Sequence, residues 1–313
     1  MERNSNPQPK DLLNMAIQAS VEVGKAEDTA GMNGLMDPER RKWLESVMAS
    51  VFGQNIDPVK QMKSCLAVLE SLEADETQKS HSLDVLLSLT ESIDVANDLF
   101  KIGGFPVLQA CLTGSESGGE FRQKAAEIFS QLMQNNPFCQ AKAVEGGYLP
   151  LWLDQMEKET QPQTRIKLLS ALSSLLRSSP EAQRAFEQLD GLSALLRCMI
   201  SSKDGKFQTS AAFMLSRVCS ENAAFIDHLA KMGFVHHFVA LLQQKETASS
   251  QLREHLTEVL SIVLRHSALA RQDAAERQLN LPAFLQQRQK EIAGQEEFQE
   301  ESEYIEEILK VLP

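Results

Sequence analysis

Four stretches, Ile102-Gly103-Gly104-Phe105, Glu145-Gly146-Gly147-Tyr148, Leu189-Asp190-Gly191-Leu192 and Lys231-Met232-Gly233-Phe234, each set a glycine directly before a large apolar residue. Counted from Gly104, that glycine recurs after 43, 44 and 42 residues. Asn280-Leu281-Pro282 reads as a fifth, degenerate copy, because asparagine is the next best residue for a left-handed helix cap. A second register keeps the same period in the helix ahead of each turn: Leu87, Ser130, Ser173, Ser216 and Ser261 follow one another at steps of 43, 43, 43 and 45. Around Ser130, residues 124–132 carry apolar side chains at i, i+3, i+4 and i+7, the pattern of an amphipathic helix, and 211–218 and 256–263 repeat it.

Each unit therefore reads as a short helix, a glycine turn, a second helix and a longer third helix. Pro106, Pro150 and Pro282 fall just inside the second helix, where a missing N–H costs little. One unit alone has nothing to cover its apolar face, so neighbours must stack into a solenoid. A phosphate-cradling role for the glycines would need a preceding strand and a following Lys-[Ser/Thr], and neither is present; a helix-ending turn is the simpler reading. The alanine-rich third helix ending near Ser-x-Leu, and the short helix closed by glycine before an apolar-Pro segment, resemble the armadillo repeat. The expected fold is all-α: an armadillo-type right-handed helical solenoid with capping helices at both ends.

The bulk composition narrows the partners. With 313 residues, 42% of them hydrophobic, the chain has material for a large core yet is long for one compact globule. Its 43 acidic against 31 basic residues give a net charge of -12, which repels phosphate backbones and anionic lipid, so neither nucleic acid nor a membrane surface is an expected partner. Cys65, Cys111, Cys139, Cys198 and Cys219 lie far apart inside mostly apolar runs with no C-x-x-C pair, as reduced core residues would. Residues 1–11 carry no apolar signal core, no run approaches a membrane span, and Lys310-Val311-Leu312-Pro313 is no ER-retention tail. The cytoplasm is the expected compartment, with the nucleus open to the chain.

The flanks divide the rest. Asp11-Leu12-Leu13-Asn14-Met15-Ala16-Ile17-Gln18-Ala19 is a short amphipathic stretch, too short for a stable isolated helix, within a segment 1–23, and 24–36 reads as linker. Such an apolar peptide on a tether is suited to capture by another protein or to docking on its own solenoid, and the pattern leaves both open. Asp37-Pro38 and Asp57-Pro58 each start a helix with a capping Asp and Pro at the first position, giving capping helices over 37–72 ahead of repeats over 73–290. Residues 291–313 interleave Glu296, Glu297, Glu300, Glu301, Glu303, Glu306 and Glu307 with Ile292, Phe298, Ile305, Ile308 and Leu309, the composition of a solvated, acidic C-terminal capping helix.

No chemistry-bearing constellation stands out. His236-His237 is the only histidine cluster, and adjacent helical residues point about 100° apart, which places one toward the core and one toward water rather than both on a metal. There is no H-E-x-x-H and no G-x-S-x-G. Glu254 and Glu258 stand one helical turn apart but off the apolar stripe of Leu256, Val259, Leu260 and Val263, as a solvated face would. The expectation is a binding protein, not an enzyme, with no cofactor and no metal.

Third helices line armadillo grooves, and import receptors of this fold carry a Trp and Asn ladder there. In that register this chain has Asp84, Glu127, Ser170, Phe213 and Glu258 at the Trp positions and Ser88, Gln131, Ser174, Arg217 and Ile262 at the Asn positions, so the ladder is missing. The groove residues expected to meet a partner are Asp84, Ser88, Glu127, Gln131, Ser170, Ser174, Arg177, Phe213, Arg217 and Glu258, with Phe213 and Arg217 as anchors, although Phe213 also fits a core position. The acidic members would suit a basic partner surface.

In their order along the chain, Leu12-Leu13-Asn14-Met15-Ala16-Ile17, Glu39-Arg40-Arg41-Lys42-Trp43-Leu44, Gln61-Met62-Lys63-Ser64-Cys65-Leu66 and the repeats after them are similar to the cytosolic family of heat-shock-protein-seventy-binding, Fes-one-type proteins. That resemblance implies a monomeric nucleotide exchange factor whose groove embraces the ATPase domain of a DnaK-type chaperone and speeds ADP loss. It also implies that the N-terminal segment, through Leu12, Leu13, Met15 and Ile17, mimics a substrate in the chaperone's peptide-binding domain. The alternative class is an armadillo adaptor or scaffold that binds peptides or other proteins without exchange activity.

Overall fold

The computed structural model describes residues 57–114, 118–177, 179–244 and 249–312, and those residues contain helices and turns but no strand. The substrate-mimic segment with Leu12, Leu13, Met15 and Ile17, the linker, and the helix expected from Asp37 lie outside them.

Helix α1 (Pro58–Glu70) begins as its sequence dictates: Asp57 accepts the Val59 N–H at 3.0 Å and Pro58 takes the first position. Helix α2 (Glu76–Leu89) starts on a reciprocal capping box between Asp75 and Gln78. Five three-helix units follow: α3 (Ile93–Lys101), α4 (Gly104–Thr113) and α5 (Gly119–Met133); α6 (Pro137–Glu145), α7 (Tyr148–Lys158) and α8 (Pro162–Leu176); α9 (Pro180–Gln188), α10 (Gly191–Ser201) and α11 (Gly205–Glu221); α12 (Ala223–Lys231), α13 (Phe234–Leu242) and α14 (Ser250–His266); α15 (Ala268–Ala274), α16 (Leu281–Ile292) and α17 (Gln299–Val311). The third helices pack side by side in the order α2, α5, α8, α11, α14, α17.

The turn between first and second helices departs from the simple glycine reading. The left-handed residue there is Gly103, Gly147, Asp190, Gly233 and Asn280 in successive units, so the recurring glycines Gly104 and Gly191 are not the ones with positive φ. Those two open α4 and α10, where an added Cβ would meet Leu99 at 2.5 Å and Phe186 at 2.4 Å. One pattern therefore serves two purposes, backbone freedom in some units and close packing in others.

A third periodic register is visible only once the helices are in place. Asn136, Ser179, Asn222 and Ser267 cap α6, α9, α12 and α15, each accepting a backbone N–H in the first turn. Inside two of those helices, buried Gln140 and Gln183 donate to Met133 O and Leu176 O, closing the third helix that precedes each, and also reach the third helix of their own unit at Ser174 O and the Glu221 carboxylate. Trp152, fully buried, donates its indole N–H to Gln109 Oε1 at 3.1 Å across 43 residues of sequence.

At the C-terminus the expected single acidic helix is broken. Gly294 at φ 79° separates α16 from a short 3-10 turn (Glu296–Phe298) and then α17. Helix α17 is the third helix of the fifth unit and covers α14 with Ile305 and Ile308 buried. Its acidic residues are also not all solvated: Glu301 is 2% exposed and receives two 2.8 Å bonds from Arg288, whose guanidinium lies 5.0 Å from the Phe298 ring centre. Burying that carboxylate is tolerable because a planar, bidentate partner answers both oxygens. No helix among the described residues is long and apolar enough to cross a membrane.

Candidate partner-binding groove

The row of third helices presents a polar face on which the charged groups are paired across neighbouring helices. Lys124 of α5 lies 2.7 Å from Asp84 of α2, and Lys167 of α8 lies 2.5 Å from Glu127 of α5, both at a sequence offset of 40. Repeat geometry puts a residue beside the one 43 positions on, and the facing lysine one helical turn earlier completes the pair. Asp84 and Glu127 are thus each paired with a lysine of the neighbouring third helix. Between them, Ser130 and Ser170 exchange a hydroxyl bond at 2.7 Å, and Gln131 donates to Leu87 O at 3.2 Å.

The ladder lapses at the next step. Ser170 and Ser210 stand where the carboxylate and lysine would be, and between α8 and α11 a cavity of about 890 Å³ opens. Ser170, Ser174, Arg177 and Phe213 line it, together with Ser173, Thr209 and Ser210. A second cavity of about 530 Å³ lies beside it toward α2, lined by Glu127, Gln131, Ser170 and the exposed turn residue Asn135, which holds a left-handed conformation at φ 50°. The structure therefore brings Glu127, Gln131, Ser170, Ser174, Arg177 and Phe213 together, while Asp84, Ser88, Arg217 and Glu258 line neither cavity.

Phe213 is half-buried, neither core nor fully exposed. Arg217 stacks over its ring with the guanidinium carbon 5.2 Å from the centre, and His255 of α14 approaches the same ring at 5.2 Å. Glu258, expected on a solvated face, is instead partly buried and lies 3.5 Å from His255 Nδ1. Burial pushes its carboxyl up, but the polar groups of His255 and Ser216 beside it and the nearby charges of His255 and Arg217 outweigh that and hold it below the ordinary value. Glu254 shifts the other way, raised by burial against the opposing effect of His255 and raised further by Glu300, Glu258 and Glu301. The same end of the face raises the Tyr304 hydroxyl to about 12, through burial and the carboxylates of Glu258, Glu300, Glu254 and Glu307.

The histidine pair resolves differently from its expected split. His237 is exposed, and His236 is half-buried against Glu276 at 3.0 Å, so neither enters the core. Among the described residues no group of three His, Cys, Asp or Glu could hold a metal ion. His255, Lys124, Lys167, Thr209 and Ser210 escaped the sequence reading; the recurrent 40-residue offset between acid and lysine is the signal that would have found two of them.

A stacked row of three-helix units with a polar, cavity-bearing face defines an armadillo-type helical solenoid, and solved structures agree on the fold. A designed armadillo repeat protein superposes with a TM-score of 0.64 at 14% identity, covering 80% of this chain and 100% of that one. A computationally designed armadillo repeat protein for modular peptide recognition gives 0.65 at 14% identity, over 80% and 100%.

Sequence comparison is more specific. Residues 95–232 match the SIL1/FES1/HPBP1 C-terminal domain, and residues 10–99 match the nucleotide exchange factor Fes1 family. The chain belongs to this SIL1/FES1/HPBP1 family. It is 28% identical to mouse Hsp70-binding protein 1, over 98% of this chain and 87% of the relative, and 29% identical to the human protein, over 96% and 83%. It is 31% identical to the Hsp70 nucleotide exchange factor fes1 of Schizosaccharomyces pombe, over 45% of this chain and 47% of that one.

Proposed function

We propose that this protein is a nucleotide exchange factor and co-chaperone that binds the ATPase domain of a cytosolic DnaK-type heat-shock protein seventy, promotes ADP release and so lets clients leave. The observation that carries the reading is the conjunction of family matches over residues 10–232 with a third-helix face that has open cavities. Relatives along nearly the full chain bear the name Hsp70-binding protein 1, and shorter matches bear the name Hsp70 nucleotide exchange factor.

The mechanism is differential binding, with no bond made or broken by the factor. A protein that holds the open, ADP-free arrangement of the ATPase lobes better than the closed one shifts the population toward it. A hundredfold faster release needs about 2.7 kcal/mol of that preference at the transition state, at about 1.36 kcal/mol per tenfold. An interface on the order of 2,000 Å² supplies this with room to spare.

The division of labour runs along the chain. Residues 1–23 form the substrate-mimic segment, with Leu12, Leu13, Met15 and Ile17 entering the peptide-binding domain, and 24–36 form a tether. The segment 37–72 precedes the stacked units, which run on beyond 290 through α17 within 291–313. Contacts come from the face that carries Ser88, Gln131, Ser174, Phe213, Arg217 and their neighbours, and the protein acts as a monomer in the cytoplasm, with the nucleus open to it. An adaptor without exchange activity shares this fold, and one assay separates the two. Release of a fluorescent ADP analogue from a purified chaperone is measured with the full-length protein, a deletion of 1–23 and Phe213→Ala/Arg217→Ala. Acceleration that survives the deletion and drops about tenfold or more in the double variant supports exchange through this groove; binding without any acceleration leaves the adaptor.

A further inference from the structure

The groove carries charge of opposite character along its length. Toward α2 its carboxylates are already paired with lysines, Asp84 with Lys124 and Glu127 with Lys167. Toward α17 it is acidic: Glu307 lies 3.3 Å from Arg265 and Glu258 3.5 Å from His255, but Glu254 and Glu300 make no ion pair among the described residues. Between these ends, beside the 890 Å³ cavity, stand two guanidiniums that make no ion pair with any described residue: Arg177 on the cavity wall and Arg217 over the Phe213 ring. Glu258, on which the charge of Arg217 also acts, lies 3.5 Å from His255 Nδ1. The cavity wall itself is rich in hydroxyls, from Ser173, Ser174, Thr209 and Ser210. In a chain of net charge -12, two arginines without an ion pair among the described residues, beside a hydroxyl-lined opening, are suited to receive negative charge.

We propose that the opening between α8 and α11 is a socket for an acidic protrusion of the partner, one or more Asp or Glu side chains on the chaperone's ATPase domain, held by Arg177 and Arg217 and fixed in register by the serine and threonine hydroxyls. This rests on the exchange-factor reading and reverses the sign of the partner surface that the sequence alone suggested. Arginine suits the task because its planar fork bonds both oxygens of a carboxylate, while Phe213 beneath Arg217 pre-orders the fork and excludes water on one side. The two flanks then act as register marks: the paired flank is neutral to a partner, and the acidic flank repels a carboxylate that lands one helix too far.

The test uses the full-length protein and a purified, ADP-loaded DnaK-type chaperone, with association kinetics measured across a series of salt concentrations. Arg177→Glu/Arg217→Glu is compared with wild type, with the charge-retaining Arg177→Lys/Arg217→Lys, and with Lys203→Glu/Lys231→Glu, which makes the same change in net charge at exposed sites outside the cavity. The expected result is binding at least about tenfold weaker for the arginine reversal, with a flattened salt dependence of the on-rate, a salt slope retained by the lysine variant, and near wild-type behaviour for the distal reversal. Equal weakening by both reversals would assign the effect to net charge and overturn the socket, as would wild-type affinity in the arginine reversal while wild type itself binds and accelerates ADP release. A wild-type protein that neither binds nor accelerates release removes the exchange-factor reading and this inference with it. Circular dichroism of each variant separates loss of contact from loss of fold.

Discussion

Asp190 holds the left-handed backbone conformation at φ 52° while Gly191 beside it does not; the glycine instead leaves room for the ring of Phe186, which an added Cβ would meet at 2.4 Å. The residue best suited to a strained turn is spent on packing, and a residue with a short polar side chain takes the strain, helped by the bond that Ser193 donates to its carboxylate at 2.6 Å.

Gly191→Ala is therefore expected to destabilise the fold by about 1–3 kcal/mol, because Phe186 is fully buried and its ring has nowhere to retreat. Asp190→Gly should change stability by less than about 1 kcal/mol, since relief of the left-handed strain offsets the lost bond and the added unfolded-state freedom. Urea unfolding of both variants checks the contrast; equal losses would contradict the assignment of roles.

Glu159 ends α7 with a nearly inaccessible carboxylate, held by Arg122 at 2.8 Å and by the Thr160 and Gln161 N–H groups at 2.9 Å. Burial alone would raise its pKa, but the Arg122 bond, those backbone bonds and the guanidinium charge together lower it. A carboxyl whose folded value is depressed contributes stability above its unfolded value, about 4.3, and loses it as pH falls through the folded value. Arg122→Ala should cost about 3 kcal/mol at neutral pH by stranding a buried charge, and Glu159→Gln in that background should recover part of it. Thermal melts of the single and double variants at neutral pH and pH 3 give the comparison.

Asn136, Ser179 and Asn222 make the same capping bond in successive units. Alanine at each should remove about 1 kcal/mol, with somewhat more at Asn222, whose side-chain amide also donates to Gln183 Oε1 at 3.4 Å, and the losses should be close to additive. A triple variant that loses markedly more than the sum of the singles would show that the units unfold as one block.

His236 and Glu276 form an exposed pair whose pKa values move apart, the histidine raised chiefly by its bond to Glu276 and the carboxyl lowered chiefly by the same bond. The histidine's contribution is full below its unfolded value and lost as pH rises through the higher folded one; the glutamate's is present above its unfolded value and lost on acidification. His236→Gln should accordingly lower the melting temperature most between about pH 4.5 and 6.5 and hardly at all above about pH 8. A difference independent of pH would place the cost in packing instead.

Much of the architecture was legible from residue order. The steps of 43 among Ser130, Ser173 and Ser216 mark positions on successive third helices, and a helix that must bury one stripe against its neighbours has to keep that stripe at the repeat period. The groove was legible as a register but not as chemistry. Asp84 and Glu127 stood out as acids, yet what answers them is 40 residues away, a pairing that exists only after α2, α5 and α8 stack. The break at Gly294 was missed because an acidic amphipathic run reads as one helix until Arg288 and Glu301 are brought together by the turn.

Periodicity, helix type and the absence of known catalytic motifs were determined by the sequence itself, because side-chain spacing within a helix is a local property that folding does not change. Which carboxylates are paired, which arginines make no ion pair and where α8 and α11 leave a cavity were decided only by the tertiary structure, because electrostatic pairing falls off over a few ångströms and depends on which distant helices become neighbours.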